Sequence, residues 1–227
     1  SMEEIRGQSD LGRFGLGLKT ASFSQSRCFS VLSRSSEADT FSGRTWDLEL
    51  LRKHGWMLKV EGVDEIAEIL SEYKKTSSSL LGSFDEPFEA KTVVVWRGLY
   101  KYENYISEQS GAKVLKKELT ETTMGHLSIV FHKFMERSKK RLKIRLNNVQ
   151  VRPFNPFPKS AVGIRRLESK NRSFGNDAIK VEGFVLPTKC IDEVKQGASP
   201  WVPQGKSLMD MEGVYIYRAG RIILFGG

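Results

Sequence analysis

Three glycines fall within six positions, Gly12-Arg13-Phe14-Gly15-Leu16-Gly17, and Leu18-Lys19-Thr20-Ala21-Ser22-Phe23-Ser24 then reads as two helical turns. Glycine lets the backbone take positive φ and come close to a ligand. A helix that starts directly after such a loop points its unpaired N–H groups back at it, and that combination suits phosphate. Lys19 adds a compact positive charge for a terminal phosphate. The candidate phosphate-binding residues are therefore Gly12, Gly15, Leu16, Gly17, Leu18 and Lys19. The alternative is a tight turn that starts a helix and holds no ligand.

Two common phosphate motifs do not fit. A Walker A loop needs Lys where Leu18 stands, and a buried strand before it, which residues 3–10 do not form. The dinucleotide fingerprint G-x-G-x-x-G needs the same strand, and this loop runs G-x-x-G-x-G. Nucleophilic hydrolysis has no support, because no Gly-x-Ser-x-Gly elbow occurs. A metal site has none either: Cys28 and Cys190 lack neighbours at ligand spacing, and His126 and His132, six apart, fall on different helix faces.

Beyond the loop, the pattern is mixed. Residues 27–33, 40–51 and 56–60 read as strands, the last two joined around His54-Gly55. Apolar residues at 63, 66, 67, 69, 70 and 73 space a helix, followed by a Ser-rich loop over 74–82. Thr92-Val93-Val94-Val95-Trp96 reads as a buried strand. Residues 98–111 read as a domain boundary. A helix capped by Thr122 or Thr123 carries Leu127, Val130, Phe131 and Phe134. Strict alternation over 141–146 gives a strand with one basic face, turned at Asn147-Asn148 into residues 149–151. Residues 179–185 alternate as a strand, residues 190–212 read as loop with partial helix, and residues 214–225 read as a second hairpin. The fold class is α/β (α+β) in two domains, 1–102 and 103–227.

Charge sharpens the second domain. Of 227 residues, 36 are Lys or Arg and 27 Asp or Glu, a net of +9. Residues 133–172 hold thirteen Lys/Arg against two Glu, a net of +11, whereas residues 61–90 carry −6. A block this basic suits a polyanion such as DNA, with a solvated basic face as the alternative. Phe154, Phe157 and Phe174 interleave with it and read as anchors for the Pro-rich loop. No run of 18 uncharged apolar residues offers a membrane span. Two cysteines and no hydrophobic leader read as a reduced, cytoplasmic protein.

Gly15-Leu16-Gly17-Leu18-Lys19 resembles the second glycine box of the GHKL ATPases, which include DNA gyrase B, the ninety-kilodalton heat-shock chaperone, histidine kinases and MutL. The run Gly12–Ser24 is most similar to the bacterial MORC-like branch. Thr92–Trp96 resembles a late strand of that fold whose Thr helps bind adenine. Residues 126–134, Asn147, 153–157 and 213–221 resemble the branch's second domain. The resemblance implies a Bergerat-type ATP-binding sandwich over 1–102, carrying the phosphate loop at 12–19. It implies a ribosomal-protein-like βαβ transducer over 103–227, ATP and Mg2+ as ligands, and an ATP-dependent homodimer. A transducer cation that contacts the terminal phosphate would be Lys206, Arg218 or Arg221.

The family's first helix carries a catalytic Glu and a magnesium-holding Asn, and an Asp-x-Gly-x-Gly segment follows. Neither pattern precedes Gly12, so the expectation is an incomplete nucleotide site, no catalytic residue and little hydrolysis from this chain alone. The competing expectation is a non-catalytic nucleic-acid-binding module built on residues 133–172.

Overall fold

The structure is a computed structural model that describes residues 16–35, 40–81, 89–100, 111–147, 149–157, 162–175, 177–187, 202–203 and 206–226. Internal contacts divide the chain into two units, Ser1–Lys116 and Lys117–Gly227. The expected division between 102 and 103 lies outside the described residues.

The first unit is a four-stranded antiparallel sheet. Strands β1 (Cys28–Ser33), β2 (Ser42–Asp47), β3 (Lys59–Glu61) and β4 (Thr92–Arg97) lie in the order β3-β2-β1-β4. Alternation along β1 sends Leu32 to one face and Phe29 to the other, and both are buried. Helix α3 (Val63–Leu81) covers the Leu32 face. Its Ile69 packs with Leu32 and Val93, and Ile66, Leu70 and Tyr73 close around them with Phe41, Ala90 and Val95. Helix α1 (Gly17–Phe23) lies on the other face: Phe23 meets Phe29 edge-on at 5.1 Å and Trp46 at 6.2 Å.

Several local readings change. The run 40–51 is not one strand. It breaks at Asp47, whose Oδ1 accepts from the N–H groups of Glu49 (2.7 Å) and Leu50 (3.3 Å) and so starts α2 (Leu48–His54). Arg52, Lys53 and His54 fill its last turn, and Gly55 ends it at φ +74°. The Ser-rich stretch does not loop; α3 continues through it, with Thr76 Oγ1 donating back to the carbonyls of Glu72 and Tyr73. β4 is an edge strand buried on one face only, because Val93 is enclosed while Val94 and Trp96 are 42% and 40% exposed.

Helix α4 (Gly111–Lys117) ends the first unit. The second opens on a π-helical turn (Glu118–Thr123) that runs into α5 (Met124–Val130) and α6 (His132–Met135). Thr122 and Thr123 therefore lie inside a continuing helix, and Thr123 makes no capping hydrogen bond. Ile129, Met211 and Ile222 form the core, with Phe154, Val202, Tyr215, Tyr217 and Phe225 packed on it. Met211 comes from the short α7 (Leu208–Met211), whose Ser207 and Asp210 make a reciprocal capping box.

The described strands of this unit form four separate antiparallel pairs. β5 (Arg145–Leu146) pairs β6 (Val149–Gln150) around Asn147 at φ +46°, a far shorter ladder than the alternation over 141–146 suggests. β7 (Arg165–Arg166) pairs β10 (Phe184–Val185), and β8 (Lys170–Phe174) pairs β9 (Asp177–Val181). The alternating run 179–185 is thus split between two hairpins. β11 (Ile216–Arg218) and β12 (Arg221–Leu224) turn through Ala219 and Gly220, both at positive φ, as a two-residue hairpin requires. Phe157 stacks on Phe184 at 4.6 Å and Phe154 joins the core, so both anchor their loop. Phe174 does not; it is 60% exposed on β8.

Candidate functional site

Leu16 precedes α1 without a side-chain cap, and the first intrahelical bond is Thr20 N–H to the Leu16 carbonyl, 2.9 Å. The N–H groups of Gly17, Leu18 and Lys19 therefore have no acceptor within the helix. A Cβ built on Gly17 would meet nothing within 4 Å, so the space beside the first turn is open. Leu16 and Leu18 are about half exposed there. The Lys19 ammonium rests 4.9 Å from the centre of the Trp46 ring. This cation–π contact is worth about 0.5–1 kcal/mol at an exposed site, weak enough for an anion to draw the ammonium away.

α1 is held by tryptophans on two strands. Trp96 Nε1 donates to the buried Ser22 hydroxyl at 3.0 Å, Phe23 contacts Trp46, and the Tyr100 hydroxyl donates to the Phe23 carbonyl at 2.6 Å. Nothing in the sequence signals these contacts, because Ser22 and Trp96 are 74 positions apart.

Thr92 stands on the same face of the sheet as α1. Register places Phe29 beside Trp46 and Trp96, and Ser33 beside Ser42 and Thr92. Thr92 is thus four residues along β4 from Trp96, about 13 Å at the usual strand rise. Val31 and Val94 form the floor between them. Leu16–Lys19 come together at the tryptophan end, and Thr92 marks the far end. Gly12 and Gly15 lie outside the described residues. A cavity of about 330 Å3 lined by Arg27, Leu48, Glu49, Arg52 and Tyr100 contains none of these candidates.

In the second unit, Lys206 and Arg221 share a neighbourhood around His126. Burial pushes the His126 imidazole below its ordinary pKa, and the positive charges of Lys206 and Arg221 add to that push. Arg221 also lies over the Phe131 ring at 5.4 Å. Behind them, His132 is fully buried. Its Nε2 meets the Tyr217 hydroxyl at 3.0 Å and its Nδ1 meets the Glu136 carboxylate at 3.3 Å. A carboxylate only accepts, so Nδ1 carries the proton and Nε2 accepts from Tyr217. Burial drives the Tyr217 hydroxyl far above its ordinary pKa, which keeps it a donor.

Residues 1–78 match the model of the family described as "Histidine kinase-, DNA gyrase B-, and HSP90-like ATPase". The match supports the GHKL superfamily. No curated protein and no solved structure matches the chain. The matched span contains α1, β1, β2, α2 and β3, which puts the phosphate-loop candidates inside it.

The residues present fit the phosphate part of the ligand such a family implies: open N–H groups, a lysine and a clear approach. For magnesium the described residues offer less, since no three His, Cys, Asp or Glu side chains among them converge. Cys28 is a free thiol, raised in pKa by burial and by the Asp47 charge. Among the described residues no helix is long and apolar enough to cross a membrane.

Proposed function

We propose that this chain binds ATP as part of a GHKL-type ATPase, with Gly12, Gly15, Leu16, Gly17, Leu18 and Lys19 around the phosphates. The observation that carries this reading is the family match over residues 1–78. The open first turn of α1 and the position of Thr92 on the same sheet face support it. In this reading the base lies toward Thr92, over Val31 and Val94, and the phosphates lie at the tryptophan end. Lys19 leaves Trp46 for the terminal phosphate. Residues 103–227 act as the transducer of a MORC-like protein, and Lys206 or Arg221 answers the phosphate charge from there. ATP then drives a conformational change that is passed to a partner.

The test is a thermal-shift titration with a non-hydrolysable ATP analogue and magnesium. Saturable stabilisation is expected, of about 2.7 kcal/mol at a hundredfold excess over Kd, and Lys19→Ala weakens it. A flat melting curve at all concentrations sinks the reading.

A second reading has its own support. The basic block 133–172 places Arg137, Lys139, Lys140, Arg141, Lys143, Arg152, Arg165, Arg166, Lys170 and Arg172 largely in solvent. A nucleic-acid module would use them as phosphate contacts, and its affinity would fall steeply between about 50 and 200 mM salt. Salt-independent binding counts against it.

A further inference from the structure

Strand β3 is an outer strand of the first sheet, paired with β2 through Gly43↔Glu61, Arg44↔Val60 and Thr45↔Lys59 and with nothing on its other side among the described residues. An outer strand carries unpaired N–H and C=O groups, and proteins usually blunt it with a free lysine, a proline or a covering element. This one is not blunted. Its lysine, Lys59, is held 2.8 Å from Glu61 of its own strand. Around it the surface is apolar: Trp56 is 82% exposed, Met57 59%, Val60 63% and Val63 84%. Monomeric proteins seldom leave a continuous patch of that kind uncovered.

Glu61 adds a second observation. Its side chain is 4% exposed. Its Oε2 is buried without a hydrogen bond among the described groups, because Lys59 Nζ approaches within ion-pair range but off the hydrogen-bonding direction. A buried carboxylate oxygen in that condition calls for another donor.

We infer that β3 pairs edge to edge with β3 of a second copy of this chain, antiparallel about a two-fold axis at Val60. In that register residue 59 faces residue 61 of the other copy. Lys59 of each protomer stands across from Glu61 of its partner, which gives the orphaned oxygen a second ammonium. Directly opposed cross-strand residues have Cβ atoms about 5 Å apart, well within a lysine's reach. On the opposite face, Val60 meets Val60 across the axis, beside the exposed Trp56, which stacks edge-on against Trp46 at 5.7 Å. The strand is therefore self-complementary in charge and in apolarity, as a two-fold interface must be. This association uses only the first unit and does not depend on nucleotide.

The test is sedimentation velocity on the whole chain over a wide concentration range, without nucleotide. A reversible monomer–dimer equilibrium is expected. Val60→Lys, at an exposed position, sets two like charges on the axis and weakens the dimer about tenfold. Lys59→Glu, which sets carboxylate against carboxylate, does the same. Far-ultraviolet circular dichroism and the melting transition of each variant confirm that it still folds. A wild-type chain that stays monomeric at every concentration overturns the proposal. So does a dimer unaffected by both folded variants, which would place the contact elsewhere.

Discussion

Gly43→Ala tests whether β2 and β3 pack as closely as the structure shows. Gly43 lies in the middle of β2 with ordinary strand geometry, so its conformational freedom is not what is required there. What it provides is space. A Cβ at this position would stand 2.8 Å from the Glu61 Cβ and 2.8 Å from the Leu32 Cδ2. Leu32 is completely buried against Val93 and Ile69 and has little room to turn aside. The Glu61 Cβ is fixed to the backbone of β3, so relief requires moving the strand. Overpacking of this kind costs about 1–3 kcal/mol, and replacing a strand glycine by alanine returns roughly 0.5–1 kcal/mol. The net expectation is a loss of about 1–2 kcal/mol, a large share of the 5–15 kcal/mol of a typical domain. Urea unfolding followed by tryptophan fluorescence reports it, since Trp46 and Trp96 flank β1 in the same sheet. A lower midpoint with an unchanged slope is expected. An unchanged or higher midpoint would refute the argument, because β2 and β3 could not then lie this close.

Two further outcomes follow from the same geometry. Burial holds the His132 imidazole below its ordinary pKa of 6.5, against the pull of Glu136 and helped by the Lys133 charge. The unfolded chain then takes up this proton before the folded one. Stability is full above about pH 6.5 and falls below it by at most about 1.4 kcal/mol per pH unit until the folded-state pKa is passed. His126 is shifted the same way, so the check is the part of the slope that His132→Gln removes; an unchanged slope would show that His132 is not the group responsible. Asp47→Ala removes the acceptor for the Glu49 and Leu50 N–H groups and should cost about 1 kcal/mol, read as a lower urea midpoint, while Asp47→Asn keeps most of the stability. Equal losses in both variants would mean that charge and not the cap is what Asp47 supplies.

The sequence by itself determined those features whose signals are local. The glycine run, the helix after it, the alternating strand Cys28–Ser33, the amphipathic Val63 helix and both Asn- and Gly-containing hairpins are set by backbone freedom and by periods of two or 3.6 residues. The order of glycines and Lys19 likewise carried the resemblance that the match over residues 1–78 supports. Where local signals conflict, the surroundings chose. Residues 48–54 alternate well enough for a strand, yet the Asp47 cap and Gly55 make them a helix. The Ser-rich run after Tyr73 reads as a loop, yet it extends a helix already anchored on the sheet by Ile66, Ile69 and Tyr73. Only the tertiary structure put Lys19 on Trp46, Ser22 on Trp96 and His132 on Tyr217, and only it left β3 as an open edge with a buried, unsatisfied Glu61. Those contacts join residues far apart in the chain, and no local pattern encodes them, because each depends on which strand lies beside which and in what register.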